Sequence, residues 1–317
     1  MKVFIDSLAD GYEEPLSKSF DYLGLSGTLR PSDRIAIKPN LTFPQYRKGV
    51  MTSPAAVEAV VVYLKNFTSH ITICEADSGG YNRFSMDEVF ATTGLRAMAD
   101  RYGVKIVNLS HVKSRPIRFL CRWRTLSVPL PVLILDETDL FITMPVPKVH
   151  SNTGISLSLK NQWGIIQEPE LRLKLHPYFN DVIYQINKAL PRAISVLDGK
   201  YGLTRNGPML GDEVELNWIV VGDNLFAVDE VVCRMMGFDP ANIPHLKHAL
   251  HKEHHGPVEF NVDYRKFACD HFYLERKWTD YPGWLAFHSR ALAYVGYESA
   301  LARPLHWLLY CFREPFY

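Results

Sequence analysis

The chain has 317 residues, 47% of them hydrophobic and 22% charged, with a formal net charge of +1. That composition is ordinary for a globular protein and supplies a sizeable core without disulfide staples. A near-neutral balance excludes the broad basic field that nucleic acid or an acidic lipid surface would select.

Short apolar runs alternate with helical patterns as far as Gly237. The N-terminus "MKVFIDSLADGYEE" reads as a strand running into acidic residues. "DRIAIKPNL" is a buried strand ending at Lys38-Pro39-Asn40, and Ser53-Pro54 then opens a helix with Val57, Val60, Val61 and Leu64 at i, i+3, i+4, i+7. "HITICEAD" is the next strand, followed by Ser78-Gly79-Gly80 and a helix that the Ser85/Glu88 capping box starts and Gly94 ends. "VKIVNLS" is a strand, and "SRPIRFLCRWRTLSVPLP" is a hairpin or edge excursion broken by Pro and Arg. "TDLFITMP" is a buried strand that delivers the chain into "PVPKVHSNTGISLSLKNQWG". Beyond it the spacing predicts a helix capped by Asn180 and stopped by Pro191, then a strand ending at Asp198-Gly199. A strand ending at Gly222-Asp223 and an amphipathic helix closed by Gly237 follow.

This order predicts an α/β fold, a mostly parallel sheet with helices on both faces in Rossmann-like layers. After Pro257 an aromatic-rich C-terminal helical extension follows, broken near Pro304. The expected division is an N-terminal α/β half over 1–145, a second half over 146–258 sharing its crevice, and the extension over 259–317. In such sheets ligands bind beyond the strand C-termini. Lys38 to Asn40, Glu75 to Gly80, Lys148 to His150, Asp198-Gly199 and Gly222-Asp223 all stand at such ends, so they are expected to converge.

Lysine is a point charge suited to phosphate or carboxylate, and its pKa falls readily on desolvation. Beside a histidine it makes an acid/base pair near neutral pH. Lys148, His150, Lys160 and Glu75 are therefore the candidate catalytic residues. Lys38, Asn40, Thr52, Ser53, Ser78, Gly79, Gly80, Asn161, Asp198, Gly207 and Asp223 are the candidate ligand-binding residues, with the Gly-rich loop from Asp198 to Glu213 over the top. Ser78-Gly79-Gly80 suits an anion through its backbone N–H groups but lacks the spacing of a Walker or dinucleotide loop.

No metal site is read. In "HLKHALHKEHH" the histidines step by three and fail the zinc-motif spacings, so the run is read as a surface helix. The five cysteines, Cys74, Cys121, Cys233, Cys269 and Cys311, contain no C-x-x-C; their odd count fits a reducing compartment and offers no ready iron–sulfur cage. No apolar run reaches the roughly 20 residues of a membrane span. The stretch "MKVFIDSLADGYEE" lacks the apolar h-region and small-residue cleavage site of a signal peptide, and the expected location is cytoplasmic.

The segments "IAIKPNL", "TSP", "CEADSGG", "PKVHSNTGISLSLKNQWG", "GLTRNGP" and "GDNLFAVDEVVCRMMGF" resemble, in the same order, the bacterial and archaeal domain-of-unknown-function family 362. Many members carry a ferredoxin-like insert, so the resemblance by itself implies iron–sulfur association; this chain lacks that cysteine run. In layout alone it is also similar to the N-terminal half of nickel-pincer lactate racemases.

The expected function is an enzyme acting on a carboxylated or phosphorylated metabolite, the lysines holding the anion while His150 or Glu75 moves a proton. The alternative is a redox-associated or accessory protein that docks a partner through its C-terminal segment. The aromatic and basic mixture of that segment also suits a membrane surface. The cofactor is unassigned.

Overall fold

The computed structural model describes residues 1–78, 84–253 and 256–312. Strand β1 (Lys2–Ser7) leads into α1 (Glu13–Tyr22), followed by β2 (Ile35–Pro39), α2 (Pro54–Leu64), β3 (Ile71–Glu75), α3 (Met86–Thr92), α4 (Leu95–Tyr102) and β4 (Lys105–Asn108). The ribbon of β5 (Ser114–Cys121) and β6 (Arg124–Pro131) stands apart from the main sheet. Its two-residue turn has both φ values positive, 44° at Arg122 and 67° at Trp123, the geometry that matches strand twist.

The short helix α5 (Val132–Leu135) precedes β7 (Leu140–Met144), the hairpin of β8 (Lys148–His150) and β9 (Gly154–Ser156), and α6 (Ser158–Asn161). Then come α7 (Pro169–Leu175), α8 (Phe179–Ala189), β10 (Ala193–Thr204), β11 (Asp212–Gly222), α9 (Leu225–Met235) and α10 (Pro244–Lys252). The chain continues through β12 (Glu259–Phe260), α11 (Tyr281–His288), α12 (Arg290–Ala293) and α13 (Ala302–Tyr310).

The main sheet runs β12-β1-β11-β10-β7-β2-β3-β4, with β8 attached to β10 and β9 to β8. From β10 to β4 the neighbours are parallel, whereas β11 is antiparallel to both β10 and β1. The fold is therefore the mostly parallel α/β sheet with helices on both faces, carrying C-terminal helices.

Alternation along the strands assigns each side chain to a layer. Ile35 and Ile37 pack under α1 and α2, while Ala36 between them meets the opposite layer with Phe141, Ile183 and Ile186 of α8. A third cluster joins Val3, Ile5, Leu197 and Val220 to Val228 and Val232 of α9.

Several expectations change. The strand expected to end at Asp198-Gly199 continues to Thr204, because β11 pairs with it antiparallel through a bulge between Gly199 and Tyr201. The long Gly-rich loop thus shrinks to residues 205–211. Asn180 lies inside α8 and does not cap it; Tyr178 precedes the helix. A separate helix, α4, lies between Gly94 and Gly103, which take φ of 80° and 63°. Pro304 lies in the first turn of α13, where its missing N–H costs nothing, so the break falls before it. His245 in the histidine-rich helix is 1% exposed and belongs to the interior.

Candidate functional site

Beyond the C-termini of β2, β3 and β7 lies a cavity of about 290 Å³, lined by Lys38, Asn40, Glu75, Ser78, Lys148, His150, Lys160, Asn161, Arg172 and Gly207, among others. The β8–β9 hairpin forms one wall, α6 and α7 another, and the 205–211 loop the rim. Three of the polar strand ends meet here because β2, β3 and β7 are parallel neighbours.

Lys38 is buried and its Nζ donates to Glu75 Oε2 at 2.7 Å and to Asn161 Oδ1 at 3.2 Å. Glu75 Oε1 accepts from the Ala76 N–H at 3.0 Å. Asn161 Nδ2 also donates to Thr143 Oγ1 at 2.8 Å, which ties α6 to β7. A Cβ at Gly164 would lie 2.8 Å from Glu75 Oε1 and 3.0 Å from Lys38 Nζ, so glycine there lets the backbone close over the ion pair.

Lys148, 3% exposed, donates to the Val50 carbonyl at 2.5 Å and has no carboxylate partner among the described residues. Burial and then the neighbouring Lys160 ammonium pull its pKa down to about 7. Lys160 is partly exposed to the cavity and makes no hydrogen bond within the described residues; its Nζ stands 6.0 Å from the Phe179 ring centroid. Burial, then Lys38 and Arg172, bring it to about 7 as well.

His150 Nδ1 accepts the Asn152 N–H at 3.1 Å, so the ring proton sits on Nε2. Burial and then Lys160 hold the imidazole well below its usual range, leaving it neutral. In that tautomer His150 is a hydrogen-bond donor toward a ligand; taking up a proton would break the Asn152 contact.

Sequence reasoning missed Arg172. Its guanidinium, 8% exposed, donates to the carbonyls of Ile166 at 2.7 Å, Asp77 at 2.8 Å and Gly164 at 3.1 Å, and it lines the cavity from α7. Nothing in "PELRLKL" separates Arg172 from Lys174; only the docking of α7 does so. Asp229, also missed, is fully buried on α9 and accepts the N–H groups of Ser158 and Leu159 at 2.8 Å each, capping the short helix that carries Lys160. The signal available was an acidic residue on the apolar face of a predicted helix.

Other expected residues lie elsewhere. Thr52 is a buried strut whose Oγ1 donates to the Met144 carbonyl at 2.6 Å and accepts the Asn40 N–H at 2.8 Å. Asp198 shares the sheet face of Ile194 and Val196, and its carboxylate accepts from Tyr12 OH and Ser53 N, both at 2.8 Å, away from the cavity lining. Asp223 is a correction to the expected convergence. Because β11 is antiparallel, Asp223 stands at the opposite end of the sheet, where its Oδ1 accepts the Lys2 N–H at 2.8 Å. Gly79 and Gly80 lie outside the described residues. Gly207 lines the rim, and a Cβ there would meet the Val149 carbonyl oxygen at 2.0 Å.

The C-terminal segment completes the rim. Asn206 Nδ2 donates to Asp280 Oδ2 at 2.7 Å and Arg276 Nε to the Ser151 carbonyl at 2.7 Å. Among the described residues no group of three or more His, Cys, Asp or Glu is arranged to hold a metal ion, and no helix is long and apolar enough to cross a membrane.

Comparison with known proteins adds the following. The family model for a domain of unknown function, DUF362, matches residues 35–234. The chain is 24% identical over 233 residues to the Thylakoid-associated protein sll1697 of Synechocystis sp., covering 70% of this chain and 68% of that one. A solved structure from Thermotoga maritima is similar with a TM-score of 0.42 and 10% identity, over 70% of this chain and 58% of that one. The lactate racemase apoprotein of Thermoanaerobacterium thermosaccharolyticum gives a TM-score of 0.42 and 14% identity, over 70% of this chain and 49% of that one. The chain thus spans less than two thirds of either solved relative.

Proposed function

The chain belongs to the DUF362 family, and from that premise we propose that it is an enzyme acting on a small carboxylated or phosphorylated metabolite in the strand-end crevice. One observation carries the reading. Lys38, Lys148, Lys160 and Arg172 line a single cavity, and among the described residues only Lys38 has a carboxylate ion-pair partner. Unpaired cations are costly to bury, so such a cluster is best explained by an anionic ligand that completes it. Pre-aimed cations and the neutral His150 donor also suit charge that develops on a reacting oxygen.

The test is a thermal-shift screen of carboxylates and phosphates. A ligand present at a hundred times its Kd stabilises by about 2.7 kcal/mol. Lys148→Met and Lys160→Met should lose that stabilisation while keeping the native circular dichroism. Lys38 is the poorer probe, because breaking a buried pair costs about 3–5 kcal/mol by itself. Full binding and full stability retained in both variants would end the reading.

A second reading rests on a separate feature. Among the described residues, ten of the fifteen exposed large hydrophobic residues, Trp278, Tyr281 and Trp307 among them, lie between positions 278 and 312. With Arg290 and Arg303 interspersed, this segment suits a membrane surface, and the Synechocystis relative is named as thylakoid-associated. Sedimentation with vesicles containing anionic lipid tests it; protein left wholly in the supernatant overturns it.

A further inference from the structure

The three cavity lysines are held in three different ways, and the difference assigns them different chemistry. Lys38 is tied to Glu75 at 2.7 Å and to Asn161 at 3.2 Å. Lys148 is tethered to the Val50 carbonyl. Lys160 has neither a carboxylate nor a hydrogen-bond acceptor among the described residues, yet it lines the cavity and keeps partial access to it. Its charge is also felt from several sides at once, by Lys148, His150, His176 and His245. Lys160 therefore lines the cavity beside the other cations with its amine uncommitted among the described residues.

Resting on the anion-site reading above, we infer that Lys160 is an amine nucleophile that condenses with the carbonyl of an anionic aldehyde or ketone, of which 2-oxo carboxylates are the simplest class. Lysines become nucleophiles when they are desolvated beside other cations, and Lys38 and Arg172 are those cations here. Burial and these neighbours bring Lys160 to about 7, so a substantial fraction is free amine at neutral pH. The carboxylate has a separate partner. Arg172 uses three N–H donors on backbone carbonyls, which leaves two of the five a guanidinium carries.

The step balances without an external reagent. The Nζ lone pair attacks the carbonyl carbon, one amine proton passes to the oxygen, and a carbinolamine forms. That oxygen leaves as water after taking a second proton from solvent, and the C=N bond keeps the positive charge. The protonated imine then withdraws electrons from the adjacent carbon, and hydrolysis reverses the sequence to release the amine.

Glyoxylate is the smallest carboxylated aldehyde and enters any cavity built for the class, so it is the probe. The full chain is incubated with glyoxylate and sodium cyanoborohydride at neutral pH, and its intact mass and peptide map are recorded. The expected result is one dominant adduct, heavier by glyoxylic acid less one oxygen, on Lys160. Excess oxalate, an anion without a reactive carbonyl, should slow its formation. Lys160→Arg should lose the adduct; if that variant does not fold, the wild-type peptide map alone decides. Adducts scattered over surface lysines with Lys160 unlabelled overturn the inference. A thermal shift with oxalate but no adduct on Lys160 overturns it while leaving the anion-site reading intact. Absence of both removes the two together.

Discussion

Lys148 gives up its proton far more readily than an ordinary lysine, because burial strips the ammonium of water and Lys160 repels it. Between about 7 and the ordinary 10.5, the unfolded chain holds protons on Lys148 and Lys160 that the folded chain has released. Stability therefore rises with pH across that window, since the unfolded state binds more protons there. Anion affinity moves the other way, falling as pH rises above about 7 and the cations are lost. Denaturant titrations through the window should give a shallower slope for Lys148→Met than for wild type, and equal slopes would contradict the assignment. The identity of these lysines as candidates was legible from their position after a buried strand. Their separate states were not, because Glu75 and Val50 reach Lys38 and Lys148 from distant parts of the chain, and Arg172 reaches Lys160 only through the docking of α7.

At the scale of the element, α6 is too short to be stable by itself, being only Ser158–Asn161. It persists because Asp229 accepts its first N–H groups, Ser158 Oγ lies 2.8 Å from Ser195 Oγ, and Asn161 is bonded to Thr143. Asp229→Ala leaves two buried N–H groups without acceptors and should cost about 1–3 kcal/mol for each. The same variant should weaken anion binding more than a core variant of equal cost, since α6 positions Lys160. Urea denaturation paired with the ligand thermal shift checks both; unchanged affinity at lowered stability would restrict Asp229 to a structural part. Strands and long helices were legible because each carries its own period, as in Ile35-Ala36-Ile37 or Val57, Val60, Val61 and Leu64. The extension of β10 to Thr204 was not, because its pairing with β11 overrides a glycine-rich local pattern.

For the molecule as a whole, the crevice depends on segments far apart in the chain. β1 and β12 extend the sheet beside β11, and residues 271–287 close the rim. Phe287 packs on His176 with ring centroids 4.9 Å apart and on Phe179 at 5.2 Å. Deleting residues 259–317 should therefore abolish anion binding and lower Tm. Deleting residues 300–317, whose described side chains between 300 and 312 are largely exposed, should leave both nearly unchanged while removing vesicle association. A shorter deletion that destroys anion binding would show that α13 belongs to the site.

By itself the sequence determined the layer architecture, the parallel core of the sheet and the cationic character of its strand-end loops. These follow from local periodicity and from residue types at strand ends, which act within a few residues of each other. Only the tertiary structure decided which polar ends share the crevice. The reversed direction of β11 sends Asp223 to the far side, side-chain alternation turns Asp198 toward Tyr12, and the docking of α7 adds Arg172. Strand direction across a hairpin and helix docking are set by long-range packing and hydrogen bonding, so no single segment encodes them.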